Sequence, residues 1–307
     1  MNKTLKIAEN KKWFYIASVA VILIAIIWTF VAGVNVAIEF KGGTIISYSY
    51  TGEITETAVE AAVAEISGQT ANVSKSESLA DGLKTVVLSF ASSEGISAEV
   101  QSQITDGLTA EFSDNGIELY SSQDVNPSTG IGFFGKCLVA VAFSAVLMIV
   151  YIGFRFKKIG GWVAGCCAVV ALLHDMCFVY AVFVICGFDI NSNFMAVLLT
   201  ILGYSINATI IIYDRIRENR RLYGSESLGE LVNLSVTQTV GRSIHTTVTT
   251  VVAMVTVCAV ALVAGVESII SFAFPLVIGL LAGVYSSNCI APTLWVTWQS
   301  AIDRRKK

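Results

Sequence analysis

Six long apolar runs constrain the fold of this chain more than any other feature. A hydrocarbon core about 30 Å thick requires about 20 apolar residues of helix to cross it. Of the 307 residues, 54% are apolar and only 14% charged, and the mean hydropathy is +0.70, far from the values of a soluble globular domain. The sequence therefore predicts a membrane all-α bundle of six helices. The runs cover residues 13–38, 133–154, 162–186, 194–213, 243–264 and 269–298.

A hydrophilic segment, residues 39–130, separates the first run from the second. Its apolar residues change repeatedly from a period of two, typical of strands, to the longer period of helices. The predicted strands cover 44–50, 71–77, 83–90 and 116–120, and the predicted helices 55–67 and 97–112. A turn is expected at 80–82, and Asn126–Gly130 is expected to be a linker back to the membrane. The order βαββαβ predicts an inserted α+β domain of the ferredoxin-like kind.

The basic residues are distributed unevenly around the six runs. Of 20 lysines and arginines, 16 lie in residues 1–12, between the second and third runs, in 214–242, or in the tail at 301–307. Residues 39–136 hold 14 acidic and 4 basic residues. Because basic loops stay in the cytoplasm, we expect both termini and the loop at 214–241 inside the cell and the inserted domain outside. Within that segment, we expect a charged extension of the fourth run, a break at Gly224, and an amphipathic helix along the membrane interface from Ser225 onward.

Ionisable groups within the runs are candidates for function, because a charge inside a bilayer is costly. His174 and Asp175 lie near mid-depth of the third run, and Arg242 and His245 share one face where the fifth begins. Asn207 adds a polar group to the fourth. Other interpretations stay open: the arginine as an ordinary interfacial residue, and each histidine as a hydrogen-bonded packing residue. The aspartate needs a partner or a proton.

Small and polar residues in the last three runs predict close helix packing. They include Gly203, Tyr204 and Ser205 in the fourth run and Gly283, Ser286 and Ser287 in the sixth. The sequence contains no HExxH, no paired intramembrane aspartates and no P-loop, so we expect neither an enzyme nor a metal site.

Several of these segments together resemble the SecF family of protein-export membrane subunits. The most specific is the run 198–207, continued by Asp214, Arg215 and the residues to Asn219. The other matching segments, in order, are residues 39–44 with Gly42 and Gly43, residues 173–175, Arg242 and Ser243 with Thr246 and Thr247, and residues 283–287.

The resemblance implies one half of a resistance-nodulation-division transporter in the bacterial cell membrane. Such a subunit forms a heterodimer with SecD, associates with the SecYEG channel and, in a wider assembly, with YidC and YajC. It uses the proton or sodium gradient, without a cofactor, to promote export of unfolded preproteins, and it binds no nucleic acid. Two alternatives remain open: a passive scaffold for SecD without an ion site, and a small-molecule or lipid exporter of the same superfamily.

The chain departs from the family pattern at two positions. Many members have a proton-carrying aspartate where this chain has Ala208, and asparagine where it has His245. Alanine cannot bind a proton. We therefore hypothesise that His245, with Arg242 and the deeper Asp175, replaces the missing aspartate in ion coupling.

Overall fold

The computed structural model of the chain describes residues 4–77, 82–90, 96–125, 127–224, 226–264 and 266–305. These ranges contain six helical segments long and apolar enough to cross a membrane, as the sequence predicts. The third, fourth and sixth are central, with 44%, 44% and 50% of their most apolar stretch buried. The first, second and fifth are peripheral, with 11% buried in each. The chain is therefore a multi-pass membrane protein with three inner and three outer spans.

The helices are α1 Lys11–Ala32, α2 Ile38–Lys41, α3 Glu56–Ser67, α4 Ala98–Glu111, α5 Pro127–Arg155, α6 Gly161–Cys186, α7 Ser192–Leu222, α8 Leu228–Val263, α9 Glu267–Tyr285 and α10 Ala291–Arg305. A π-helical turn at Ser286–Ile290 joins α9 to α10, so that the two form the sixth span. The strands are β1 Gly43–Tyr50, β2 Asn72–Glu77, β3 Lys84–Phe90 and β4 Glu118–Val125.

The inserted domain is a four-stranded antiparallel sheet with two longer helices, α3 and α4. The strand order is β2-β3-β1-β4, and the elements follow one another as β, α, β, β, α, β. Alternate residues of β1, such as Ile46 and Tyr48, are buried against Val59 of α3 and Ile104 of α4. The core of this domain therefore lies between the sheet and the two helices.

Two details of the domain differ from the sequence prediction or lie beyond what the structure describes. β4 begins at Glu118 and runs to Val125, beyond the predicted end at residue 120. The strand cannot begin at the predicted residue 116, because Gly116 has a left-handed conformation and ends a 3₁₀ turn at Ser113–Asn115. At the other end, hydrogen bonding with β1 continues as far as Val125, which lengthens the strand. Of the predicted turn at 80–82, residues 80 and 81 lie outside the described ranges.

The segments that join the domain to the membrane also differ from prediction. α1 ends at Ala32 instead of residue 38, because Gly33 leaves the helical region with φ of +77°. Beyond it, Val36 pairs with Ile190 in a single parallel bridge. On the other side, the expected linker at residues 127–130 is the first turn of α5. Proline suits this first helical position, since its missing N–H has no partner to lose there; Asn126 lies outside the described residues.

The structure confirms the helical extension and the break near Gly224, since α7 continues to Leu222 and α8 begins at Leu228. It corrects the rest of the segment: α8 runs without interruption into the fifth span, so there is no separate amphipathic helix within the described part of this region. Arg215 Nε donates to Gln238 Oε1 at 2.6 Å, and Asn219 Nδ2 donates to Ser235 Oγ at 2.8 Å. These contacts hold the extended ends of both helices together, so the chain reverses within a few residues.

One carboxylate ties the base of the inserted domain to an inner span. Glu39 in α2 accepts from the backbone N–H of Ser192 at 2.9 Å and from its hydroxyl at 2.5 Å. A negative charge is favourable at this end of α7, because the first N–H groups of a helix have no partner within it. The neighbouring Phe40 packs against the rings of Phe133 and Phe134 in α5. The domain is thus attached to both α5 and α7.

We predict that Gly43→Ala unfolds the inserted domain locally. Gly43 has φ of +146°, and a Cβ there would collide with the backbone oxygen of Phe90 in β3. We expect a loss of about 3 kcal/mol in domain stability, measured by hydrogen exchange of β1 amides in the full chain.

Gly68→Ala is the control for that experiment. Gly68 also has positive φ, +65°, but a Cβ there meets nothing within 4 Å, so we expect a loss of about 1 kcal/mol. Equal losses in the two variants would contradict the steric explanation.

Candidate functional site

The candidate site is a buried cluster of hydroxyl groups around the carboxylate of Asp175 in α6. The carboxylate has no exposed surface. Its Oδ2 accepts from Ser205 Oγ of α7 at 2.6 Å and from Ser286 Oγ of the π turn at 2.7 Å. Asp175 is paired with no lysine or arginine in the described part of the chain. A carboxylate with hydroxyl donors can accept a proton without breaking an ion pair to a fixed cation.

His174 forms the other side of the cluster. Its Nδ1 lies 3.1 Å from Asp175 Oδ1, while its buried Nε2 has no hydrogen-bond partner among the described residues. The ring packs against Phe178, with centroids 4.5 Å apart, and against Tyr285, at 5.7 Å. The imidazole is therefore held by aromatic packing and contacts the carboxylate at one nitrogen only.

The π turn lets two consecutive serines reach the cluster. Successive residues of an α-helix point about 100° apart, and a turn with more residues brings their directions closer. Ser286 binds Asp175, while Ser287 Oγ donates to the backbone oxygen of Ser205 at 3.1 Å and accepts from Thr209 Oγ1 at 3.0 Å. Both serines are fully buried. α9 and α7 are thus joined by hydroxyls on both sides of the carboxylate.

Glycines in α9 let that helix approach α6 and α7 closely. A Cβ on Gly283 would lie 3.4 Å from Ser205 Oγ and 3.7 Å from Asp175 Oδ2. One turn earlier, a Cβ on Gly279 would collide with Cδ1 of Ile201. The missing side chains therefore set the distance at which the serine hydroxyls meet the carboxylate.

The other predicted ion-coupling residues lie elsewhere. Asn207, Arg242 and His245 are exposed on the outer surfaces of α7 and α8, and none of them is hydrogen-bonded to Asp175. Tyr204 is half-buried, and its hydroxyl lies 2.9 Å from Thr247 Oγ1, which places these stretches of α7 and α8 side by side. The candidates thus divide into an inner cluster and an outer polar face. We define that polar face by Asn207, Arg242 and His245.

The remaining motif residues, apart from Gly203, have structural contacts. Gly42 ends α2 with φ of +83°, and Gly203 is exposed with open space around it. Asp214 pairs with Arg155 at 3.5 Å and with Arg217, and Arg215 pairs with Glu218 at 2.6 Å. These charges lie at the end of the bundle opposite the inserted domain.

Sequence reasoning missed the contact between α1 and the cluster. The hydroxyl of Tyr285 donates to the backbone oxygen of Phe14 at 2.7 Å and lies 3.2 Å from Ser18 Oγ. Ser18 is a single hydroxyl within an apolar run, which could have indicated the inward face of α1. Within the described residues, no group of three or more His, Cys, Asp or Glu side chains is arranged to hold a metal ion.

Comparison with protein families gives one match over most of the chain. The family described as protein export membrane protein SecD/SecF, C-terminal, matches residues 106–301. The protein translocase subunit SecF of Alicyclobacillus acidocaldarius is 32% identical, over 98% of this chain and 94% of the relative.

Longer proteins match over part of their length. The protein translocase subunit SecDF of Bacillus subtilis is 33% identical over 95% of this chain, which covers 38% of that relative. The crystal structure of SecDF, a translocon-associated membrane protein, from Thermus thermophilus superposes with a TM-score of 0.79 at 26% identity. That match covers 97% of this chain and 39% of the other. This chain therefore spans about two fifths of the SecDF chains.

We predict that Gly279→Ala separates α9 from α7. The added methyl group collides with the end of Ile201, so we expect a loss of about 2 kcal/mol in stability, measured by thermal unfolding in detergent. Gly203→Ala, where a Cβ meets nothing within 4 Å, is the control and should raise stability by up to about 1 kcal/mol, because alanine favours the helix.

Ile201→Val removes the atom that collides. It should therefore restore part of the stability lost in Gly279→Ala, since Cγ2 of Val179, 3.0 Å from the added Cβ, stays in place. A double variant no more stable than the single one would contradict this explanation.

Proposed function

This chain belongs to the SecD/SecF family of protein-export membrane proteins as a SecF subunit, and from that membership we propose how it works. We propose that it pairs with SecD and uses the proton or sodium gradient, with no other cofactor, to promote export of unfolded preproteins through SecYEG. It acts as a transport subunit and not as an enzyme. YidC and YajC belong to the wider assembly in this proposal.

The observation that carries the proposal is the environment of Asp175. A carboxylate without exposed surface receives two hydroxyl hydrogen bonds where three inner helical segments meet. Protonation changes its charge from negative to neutral, which changes how strongly both serines are held. Carboxylate and hydroxyl oxygens also suit a hard cation such as sodium. Ion binding at this point would thus alter the packing of α6, α7 and α9 together.

The outer polar face supports the pairing with SecD. Asn207, Arg242 and His245 are exposed on membrane helices, and polar groups at such positions normally face protein or water rather than lipid. SecDF proteins join both subunits in one chain, and this chain covers only part of that length. In our proposal the SecD half covers this face, so that His245 lies at the subunit boundary, near the level of Ala208. Co-purification from membranes tests which partners, SecD and SecYEG first, accompany the chain.

The proposal also covers the orientation of the chain in the membrane and the fold classes of the inserted domain and the bundle. With the basic ends inside, the inserted domain lies outside the cell and contacts the emerging polypeptide or SecD. Its element order and the strand order β2-β3-β1-β4 support a ferredoxin-like domain. The six spans correspond to one half of a resistance-nodulation-division transporter. The domain's attachment to α7 through Glu39 and Ser192 gives its movement a direct route to the helix that carries Ser205.

The competing proposal is a passive scaffold that completes the pair while SecD carries the ion site. Substituting His174, Asp175, Arg242 and His245 together without loss of export would favour it. A small-molecule or lipid exporter is the weaker alternative, because the relatives that match nearly the whole chain are translocase subunits.

We predict that Asp175→Asn abolishes the gradient-dependent part of export. Asparagine keeps an oxygen that can accept from Ser205 and Ser286 but cannot bind a proton as a carboxylate does. Export measured in membrane vesicles should fall to the level found without a gradient, while the ATP-driven part stays unchanged. Asp189→Asn, in the short segment between α6 and α7, is the matched control and should behave like the unchanged chain.

The hypothesis that His245 takes over the role of the aspartate missing at Ala208 gives a second prediction, for His245→Asn. This variant should also lose gradient-dependent stimulation, although its fold is unaffected because His245 is exposed. Unchanged export in His245→Asn together with a defect in Asp175→Asn would exclude the role of His245 and leave the inner cluster as the coupling site.

A further inference from the structure

A pocket of about 370 Å³ opens at the end of the bundle opposite the inserted domain, where α5 turns into α6 beside the last turns of α7. We call it the basic pocket. Its lining consists of Phe154, Arg155, Lys157, Lys158, Arg217 and Arg221. Five of these six side chains are cations, and they come from two segments more than 50 residues apart in sequence. The fold therefore brings together charges that the sequence separates.

Aromatic rings hold several of these cations in place. The guanidinium carbons of Arg155 and Arg217 lie 5.5 and 5.7 Å from the ring centroid of Phe156, which is fully buried. Lys157 Nζ lies 4.8 Å from the ring centroid of Phe154. Such contacts fix a cation without neutralising it. The pocket is thus prepared for an anion before one binds.

The charge of the basic pocket is not balanced by the protein. Within the described ranges, one carboxylate, that of Asp214, forms ion pairs with residues lining the basic pocket. It pairs with both Arg155 and Arg217. Five cations against one carboxylate leave an excess of four positive charges. A neighbouring crevice of about 340 Å³ carries less charge: of its Arg215 and Arg242, the first is paired with Glu218, and Asp214 at its edge is paired with Arg155 and Arg217. The general excess of basic residues in cytoplasmic loops does not explain why the excess is four charges in the basic pocket and one in the crevice beside it.

The surroundings of the pocket indicate the source of the anion. Phe154 lines it and is 58% exposed, and it packs edge-on against Trp162, which is 54% exposed, with centroids 5.8 Å apart. Exposed aromatic rings at the end of a membrane helix lie at the level of lipid headgroups. We propose that the basic pocket binds the phosphate group of an anionic phospholipid, whose acyl chains lie along Phe154 and Trp162. Clusters of lysine and arginine at this depth are the chemistry that recognises such headgroups.

The test is a lipid titration of the full chain in detergent, with bound lipid counted by native mass spectrometry. Phosphatidylglycerol is the anionic probe, and phosphatidylcholine and inorganic phosphate are the comparison ligands. We expect one tightly bound phosphatidylglycerol, little phosphatidylcholine and no competition by millimolar phosphate. Lys158→Gln with Arg221→Gln should weaken phosphatidylglycerol binding about 30-fold. Neither side chain is paired with a carboxylate in the described part of the chain, so the fold should persist.

The matched control is Arg304→Gln with Arg305→Gln, which removes the same charge from the same end of the bundle but outside the pocket. It should change the affinity less than threefold. An equal loss in both double variants would show general surface attraction and overturn the site. Equal binding of phosphatidylcholine, or binding of inorganic phosphate in place of lipid, would overturn the assignment to an anionic lipid. If the first pair fails to fold, Lys157→Gln alone replaces it, and an unchanged affinity in that folded variant would also contradict the proposal.

Discussion

A carboxylate inside an apolar bundle is stable only if neighbouring groups donate hydrogen bonds to it, and the packing of this membrane domain follows from that requirement at Asp175. Two serine hydroxyls reach the carboxylate at 2.6 and 2.7 Å, one from α7 and one from the π turn. For them to do so, α9 must lie close to its neighbours, which Gly279 and Gly283 permit. The three inner spans are therefore packed around one ionisable group, while the apolar stretches of α1, α5 and α8 have little buried surface.

The polar residues of the spans lie in two different environments, one buried and one exposed. Ser205 and Thr209 of α7 face inward to the cluster, whereas Asn207, two residues from each, is exposed. α8 repeats this division, with Ser243 and Thr247 buried and Arg242 and His245 exposed. One helix can thus contribute to a buried hydroxyl network and to an outer surface at the same depth. Ala208 lies between these two environments, since it is half-buried.

Much of this organisation was predictable from the sequence, because apolar length and periodicity depend on local residues. The six spans and the order of strands and helices in the inserted domain follow from such patterns. The end of α1 at Gly33 and the continuity of α8 from Leu228 into the fifth span depend on single residues and on contacts to distant ones, so the predicted end at residue 38 and the separate interfacial helix were wrong. Asp175 was identifiable as a costly buried charge. Its contact with Ser286 was not, since the π turn that brings this serine to the carboxylate has no signature in the residue types.

The pairing of β1 with β4 has a mechanical consequence. Gly43, where the chain enters the sheet, lies opposite Val125, where it leaves, and the two strands are antiparallel. The two ends of the domain, at Gly43 and Val125, therefore lie side by side on the edge that faces the bundle. We call the connections from these two ends to the membrane helices the tethers. A force that pulls the domain away from the membrane stretches the two tethers in parallel, so it does not slide one strand along the other. The load divides between α2 and α5, and tension reaches the bundle without shearing the ladder of hydrogen bonds between the strands that carry it.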